Sequence, residues 1–175
     1  VGKVASVGKF DQGIRHDYLS DAKKNYDATL VRGIDAVNSV NLRRAEMLAV
    51  GKYAKMFERL VNRVISGGKV EKYDYKKIIE NLFTEEDKLE NIYPTIIPRW
   101  DKTPRVGKRS YVYTNSTPEL FEKSVRQAVE LIKDKEPEHR IIFLQAWNEW
   151  GEGNFMEPDM EFGRGYLEAL KRALI

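Results

Sequence analysis

Glu149 and Glu152 stand three residues apart in the segment AWNEWGEGNFMEPD, Ala146 to Asp159, flanked by Gly151 and Gly153. Glycine adopts backbone angles that other residues resist, so a bend of this kind can turn both carboxylates towards one cavity. There, burial and mutual repulsion separate their pKa values, leaving one ionised as a base while the other keeps its proton as an acid. Glycosidic-bond chemistry needs that division of labour. Trp147 and Trp150 add flat apolar faces for the C–H surface of a sugar ring, and Asn148 offers a donor and an acceptor to hydroxyls. Glu157 and Asp159 either bind further hydroxyls or brace the loop. The competing reading makes NEWGEG a helix N-terminus, with Asn148 as cap and the glutamates complementing the dipole. The paired tryptophans and glycines argue against an ordinary helix.

A second polar loop, RWDKTPR (Arg99–Arg105), supplies Trp100, Asp101 and Arg105. Arg105 either clamps a phosphate or carboxylate or pairs with Asp101 to hold the loop's shape. Trp100 is either packing or a binding platform. His16 and His139 are isolated and lack metal-ligand spacing, so no metal and no cofactor are expected. No Walker loop, no G-x-G-x-x-G after a strand and no Asp-x-Asp pair occurs in the sequence.

Both loops follow short apolar runs. Ile92–Pro98 is β-branched and bounded by prolines, and Arg140–Ala146 is similarly apolar, so both read as strands covered on both faces. Between them Thr117-Pro118-Glu119 opens a helix, with Leu120, Phe121, Val125, Ala128, Val129 and Ile132 on one side. A last helix over Gly163–Ile175 buries Tyr166, Leu167, Leu170 and Leu174. Strand, loop, helix, strand, loop, helix is the order of a parallel sheet with right-handed crossovers, whose functional groups gather at the strands' carboxyl ends. Upstream, Asn41 caps a predicted helix to about Ile65, with Leu48, Tyr53, Met56, Leu60 and Val64 as its buried stripe. YDYKKIIENLF (Tyr73–Phe83) follows as a short amphipathic helix capped by Asp74. Val4–Val7 and Ala28–Val31 are short apolar pieces without clear periodicity.

The chain has 175 residues, of which 42% are hydrophobic and 33% charged, which supports a packed core in a single domain. A net charge of +3 with scattered basic residues argues against nucleic acid as a partner. There is no cysteine and no apolar run of the roughly 20 residues that span a bilayer, so a cytoplasmic location is the expectation.

AWNEWGEGNFMEPD resembles the signature of the WbsX-like proteins, glycosyltransferases of lipopolysaccharide O-antigen and other surface-polysaccharide loci. That signature, A-W-N-E-W-x-E-G followed by an L-E-P-D-like piece and a Gly/Tyr-containing helix, is matched by Ala146–Gly153, Met156–Asp159, and Gly163 with Tyr166-Leu167-Glu168. A family element P-x-W-D-N-T-x-R is similar to Pro98–Arg105, with Lys102 in place of the usual Asn. The resemblance covers residues 70 to 175. The N-E-W-x-E-G core is also similar to that of endo-α-mannosidase-type glycoside hydrolases, which are (β/α)8 barrels. That resemblance implies that Glu149 acts as base towards a sugar 2-hydroxyl and Glu152 as general acid/base at the glycosidic oxygen. A complete barrel of this type needs at least ~200 residues. Residues 1–175 are therefore expected to form one domain, the C-terminal part of an α/β TIM-type barrel that pairs with an N-terminal half. The expected function is a carbohydrate-active enzyme, glycosyltransferase or retaining glycoside hydrolase, acting on an oligosaccharide or sugar donor. The alternative is a non-catalytic carbohydrate-binding or scaffolding fragment.

Overall fold

The structure is a computed structural model that describes residues 7–9, 35–51 and 69–175, with isolated positions 27, 31 and 33. Four parallel strands form its main sheet in the order β1 (Val7–Lys9), β2 (Ala36–Ser39), β4 (Ile92–Ile96), β6 (Phe143–Leu144). β4 is one of the two inner strands of this sheet and is buried along its whole length, as its uninterrupted apolar run requires. β6 is shorter than the expected Arg140–Ala146. Only Thr95–Phe143 and Ile96–Leu144 pair, and both β6 residues are half-buried rather than covered. Among the described residues β6 has a partner on one edge only, so its ladder ends where β4 ends.

A second parallel pair, β3 (Glu71–Asp74) with β5 (Tyr111–Thr114), was not legible in the sequence. Its strands are four residues long and pair in register from Glu71–Tyr111 to Asp74–Thr114, with tyrosine packing in place of an apolar run. Tyr73 packs edge-on against Tyr113, and Tyr111 stacks on Tyr113 and meets the edge of Trp100. Asp74 ends β3 and caps α2 (Tyr75–Glu80) by accepting from the Lys77 N–H, as expected.

Helix α1 (Leu42–Val50) begins after Asn41, whose side chain makes no cap bond, and Gly51 follows its last residue. Its buried face is Leu42, Ala45 and Glu46, not Leu48, which is 41% exposed. Glu46 is drawn inward because its carboxylate accepts from the Tyr113 hydroxyl. Tyr53, Met56, Leu60 and Val64 lie outside the described residues. Of the two N-terminal apolar pieces, Val7 opens β1 and Val31 is exposed in a turn; the rest lie outside the described residues.

From β4 the chain reaches β6 through the helical turn α3 (Thr103–Val106), β5 and the helix α4 (Pro118–Ile132), and it ends in α5 (Gly165–Leu174). α4 starts where Thr117 caps Leu120 and Pro118 takes the first helical position, and it buries Phe121, Val125, Ala128 and Ile132. α5 packs against it through Tyr166, Ala169 and Ala173, while Leu174 is exposed, contrary to the stripe read from leucine spacing. Small residues win that face because the helices lie close together. At the start of α5, a Cβ on Gly165 would sit 2.9 Å from Pro118.

The architecture is thus mixed α/β with parallel strands. Among the described residues the sheet does not close into a barrel. No described helix is long and apolar enough to cross a membrane.

Candidate active site

The chain leaves β4 through Ile97–Asp101 and leaves β6 through Gln145–Gly153, so both loops lie at the carboxyl end of the sheet. Backbone bonds join them. Gln145 N–H donates to Ile96 O (3.0 Å), and Asp101 N–H donates to Glu152 O (2.8 Å). The Arg99–Arg105 loop is also tied to β5, through Tyr113 N–H to Trp100 O and Lys102 N–H to Tyr111 O. The two rims are neighbours, as the alternation of elements implied.

NEWGEG is a hairpin, not a helix start. β7 (Asn148–Glu149) runs antiparallel to β8 (Asn154–Phe155), with a 3-10 turn over Trp150–Glu152 between them. Gly153 closes the turn at φ 54°, ψ 27°, a left-handed conformation that side chains resist. A Cβ there would lie 2.9 Å from Asp101 Cβ and 3.1 Å from Asp101 N, so glycine is what lets the two loops touch. Buried Asn154 ties the neck of the hairpin by accepting from the Ala146 N–H.

The glutamates share a cation. Arg105 Nη1 donates to Glu152 Oε1 at 3.1 Å and lies 3.7 Å from Glu149 Oε1. Trp100 Nε1 donates to the other oxygen of Glu152 at 2.9 Å, and Lys102 Nζ lies 3.5 Å from it. The Glu152 side chain is 13% exposed and that of Glu149 42%. Burial raises the Glu152 pKa, but the Arg105 and Trp100 hydrogen bonds and the Lys102 charge together outweigh it, and the carboxyl ionises below the ordinary glutamate range.

Trp100 is 7% exposed and packed among tyrosines, so its part in the site is the N–H it gives to Glu152, with no free face for stacking. Asp101 does not pair with Arg105. Its Oδ1 accepts from the Thr103 N–H and hydroxyl at 2.8 and 2.6 Å, which shapes the loop and leaves Arg105 to the glutamates. Trp147 and Trp150 are 51% and 48% exposed, and Asn148 is exposed beside them. Trp150 stacks on Phe155 at 3.6 Å, with its N–H donated to Glu157, so one face of the indole is backed and its edge held. Glu157 and Asp159 both brace. Asp159 pairs with Arg99 and accepts the N–H groups of Glu161 and Phe162.

Arg99 and Asn154 were not singled out in the sequence, and Lys102 only as a departure from the family element. Arg99 lies over the rings of Phe155 (4.0 Å) and Tyr166 (4.8 Å), tying the end of β4 to the final loop and helix. Its partners lie 56 to 67 residues away, and no spacing rule joins them. His139 hydrogen-bonds Tyr93, His16 lies outside the described residues, and no metal-holding cluster occurs among the described residues. A charged groove lies elsewhere, between α2, the turn Glu85–Lys88 and α4.

Fold and site together define an α/β chain that carries a braced pair of carboxylates where its parallel strands end, the position at which such sheets display their functional groups. The chain belongs to the glycosyltransferase WbsX family, whose model matches residues 8–170. It is 30% identical over 118 residues to the uncharacterized protein WxcX of Xanthomonas campestris pv. campestris, from strain B100 and from a second strain. That match covers 67% of this chain but 16% of each relative, so the chain spans about a sixth of the curated relatives it matches. A solved glycoside hydrolase-like protein aligns with 80% of this chain and 37% of its own, at 17% identity and a TM-score of 0.48.

Proposed function

We propose that this chain carries the acid/base site of a carbohydrate-active enzyme that makes or breaks glycosidic bonds in lipopolysaccharide or surface-polysaccharide metabolism. Glu149 and Glu152 are its reacting carboxylates. The observation that carries this reading is the single Arg105 nitrogen 3.1 Å from one glutamate and 3.7 Å from the other. Those two oxygens are therefore no more than about 7 Å apart, within reach of the roughly 5–5.5 Å of a retaining pair and only the short end of the inverting range. Family membership supports the substrate class, and the exposed, backed face of Trp150 beside Trp147 and Asn148 supports a saccharide subsite. β1, β2, β4 and β6 lie side by side in parallel, with α1 and α2 between β2 and β4 and α4 between β4 and β6, as neighbouring staves of a (β/α)8 barrel do, while β3 and β5 pair apart from them. We accordingly read the chain as one part of such a barrel, paired with a further part of the full protein.

The test uses the full protein with lipopolysaccharide-derived oligosaccharides. Glu149→Gln and Glu152→Gln are each expected to lose about 100-fold or more of turnover while keeping oligosaccharide affinity. Turnover unchanged in both variants refutes the assignment. Oligosaccharide binding by the wild type without turnover favours the alternative, a non-catalytic binding module.

A further inference from the structure

The two exposed tryptophans of the hairpin are not held alike. Phe155, on β8, has a flat group close to its ring centre on each side. The Trp150 indole lies 3.6 Å away, tilted by 16°, and the Arg99 guanidinium carbon 4.0 Å away. Two groups that near one ring centre cannot share a face, so guanidinium, phenyl and indole form a three-layer stack with Phe155 in the middle. Its inner layer is fixed. The Arg99 side chain is 13% exposed, pairs with Asp159, lies 3.7 Å from Glu161 and sits 4.8 Å from the Tyr166 ring centre. The outer layer is pinned at its edge, where the indole N–H donates to Glu157. The plane of Trp150 is thus set from behind and its rotation set from the side, while half of its surface stays open. Trp147 is equally open, but among the described residues no ring, cation or hydrogen bond holds its side chain. A surface fixed before binding gives up no rotamer freedom when a ligand lands on it, whereas a loose one does.

We propose that the outer face of Trp150 is the platform on which the C–H face of one pyranose ring of the substrate lies, and that Phe155 and Arg99 are positioning residues that hold it through the stack. This rests on the carbohydrate-active reading above, and it makes Trp150 rather than Trp147 the principal aromatic contact. Laying the ring flat removes apolar surface of both sugar and indole from water, and leaves the ring hydroxyls pointing outward to polar groups. Glu152 belongs to the same 3-10 turn and Glu149 immediately precedes it, so the platform stands beside the two carboxylates. Arg99 acts on the substrate only through Phe155 and Trp150, and carries the influence of the β4 loop into the hairpin.

The test uses the full protein and the lipopolysaccharide-derived oligosaccharides of the activity assay. Trp150→Ala should raise KM by about 10-fold or more, and Trp147→Ala by only about two- to three-fold. Phe155→Leu keeps both tryptophans but frees the indole, so KM should rise about three- to ten-fold while kcat falls less than about three-fold. Phe155→Tyr keeps the middle layer and should restore most of the loss. Arg99→Lys keeps a cation for Asp159 without the flat face, and should raise KM by about two- to five-fold. A role in stability alone would leave KM of the folded protein unchanged in both Phe155→Leu and Arg99→Lys. The second measurement needs no turnover. The protein is labelled with fluorotryptophan, and the Trp150 and Trp147 19F signals are identified by their loss in Trp150→Phe and Trp147→Phe. Titration with the oligosaccharides should move the Trp150 signal further than that of Trp147, and its midpoint gives Kd. A Trp150 signal that stays still at saturation, or a larger loss of affinity in Trp147→Ala than in Trp150→Ala, overturns the platform. Wild-type affinity in folded Phe155→Leu and Arg99→Lys overturns the positioning role of the stack; should Phe155→Leu not fold, Arg99→Lys decides that point. A Trp150 signal that responds in a protein without turnover overturns the enzymatic reading and supports the platform.

Discussion

Gly153 is the position at which the two rim loops stand or fall together. Replacing it with alanine puts a side chain into a left-handed conformation, φ 54° and ψ 27°, which costs about 1–2 kcal/mol. The added methyl also meets Asp101 Cβ at 2.9 Å, Asp101 N at 3.1 Å and Asp101 O at 3.2 Å. Backbone cannot swing aside as a side-chain tip can, and overpacking of this kind costs roughly 1–3 kcal/mol. The two effects sum to about 2–5 kcal/mol, which for a domain of this size lowers the melting temperature by roughly 5–15 °C. Gly151→Ala is the internal comparison, since its Cβ would meet only the mobile end of Glu149, at 3.2 Å. It should cost less than about 1 kcal/mol. Gly153→Asn separates the causes, because asparagine tolerates the left-handed region but still carries the Cβ. Thermal and urea denaturation of the three variants decides the matter. The reasoning is refuted if Gly153→Ala unfolds within about 0.5 kcal/mol of the wild type, or if Gly151→Ala is equally damaging.

Other positions give further expectations. Arg99→Met strips a buried cation from Asp159, whose side chain is 9% exposed, and should cost about 3 kcal/mol in urea unfolding. Asp159 itself gives a pH signature. Burial raises its pKa, but the N–H of Phe162, the Arg99 bond and the N–H of Glu161 outweigh it, so the carboxyl ionises below its ordinary value. The stability it contributes is complete above the unfolded pKa of about 4 and is lost as pH falls through the lower folded one, so Asp159→Asn should flatten stability between about pH 5 and 2. Phe121→Ala empties a fully buried site between β4, α4 and α5 and should lower stability by about 3–5 kcal/mol by calorimetry. Thr117→Ala removes the α4 cap and should cost about 1 kcal/mol in the same measurement.

What the sequence alone determined follows from local physics. The run Ile92–Pro98 has no polar alternation, so it had to lie between two covering layers, and β4 does. Thr117-Pro118 specified the start of α4 because a side-chain oxygen and a ring-locked φ act within one turn. The glutamates, tryptophans and glycines of the hairpin were legible for the same reason: their chemistry and spacing are contiguous in the chain.

Tertiary structure alone decided which groups meet those residues. Arg105 could have paired with Asp101 four positions before it, but Asp101 is occupied by Thr103, and the guanidinium reaches Glu152 across 47 residues. Lys102, Trp100 and Arg99 take their roles from the approach of the β4 and β6 loops, which depends on the missing side chain of Gly153. The β3–β5 pair was equally hidden, because four-residue strands held by tyrosine contacts carry no periodicity of their own. Charge on a carboxylate is set by whatever surrounds it within a few ångströms, and in this protein those neighbours are brought in from distant parts of the chain.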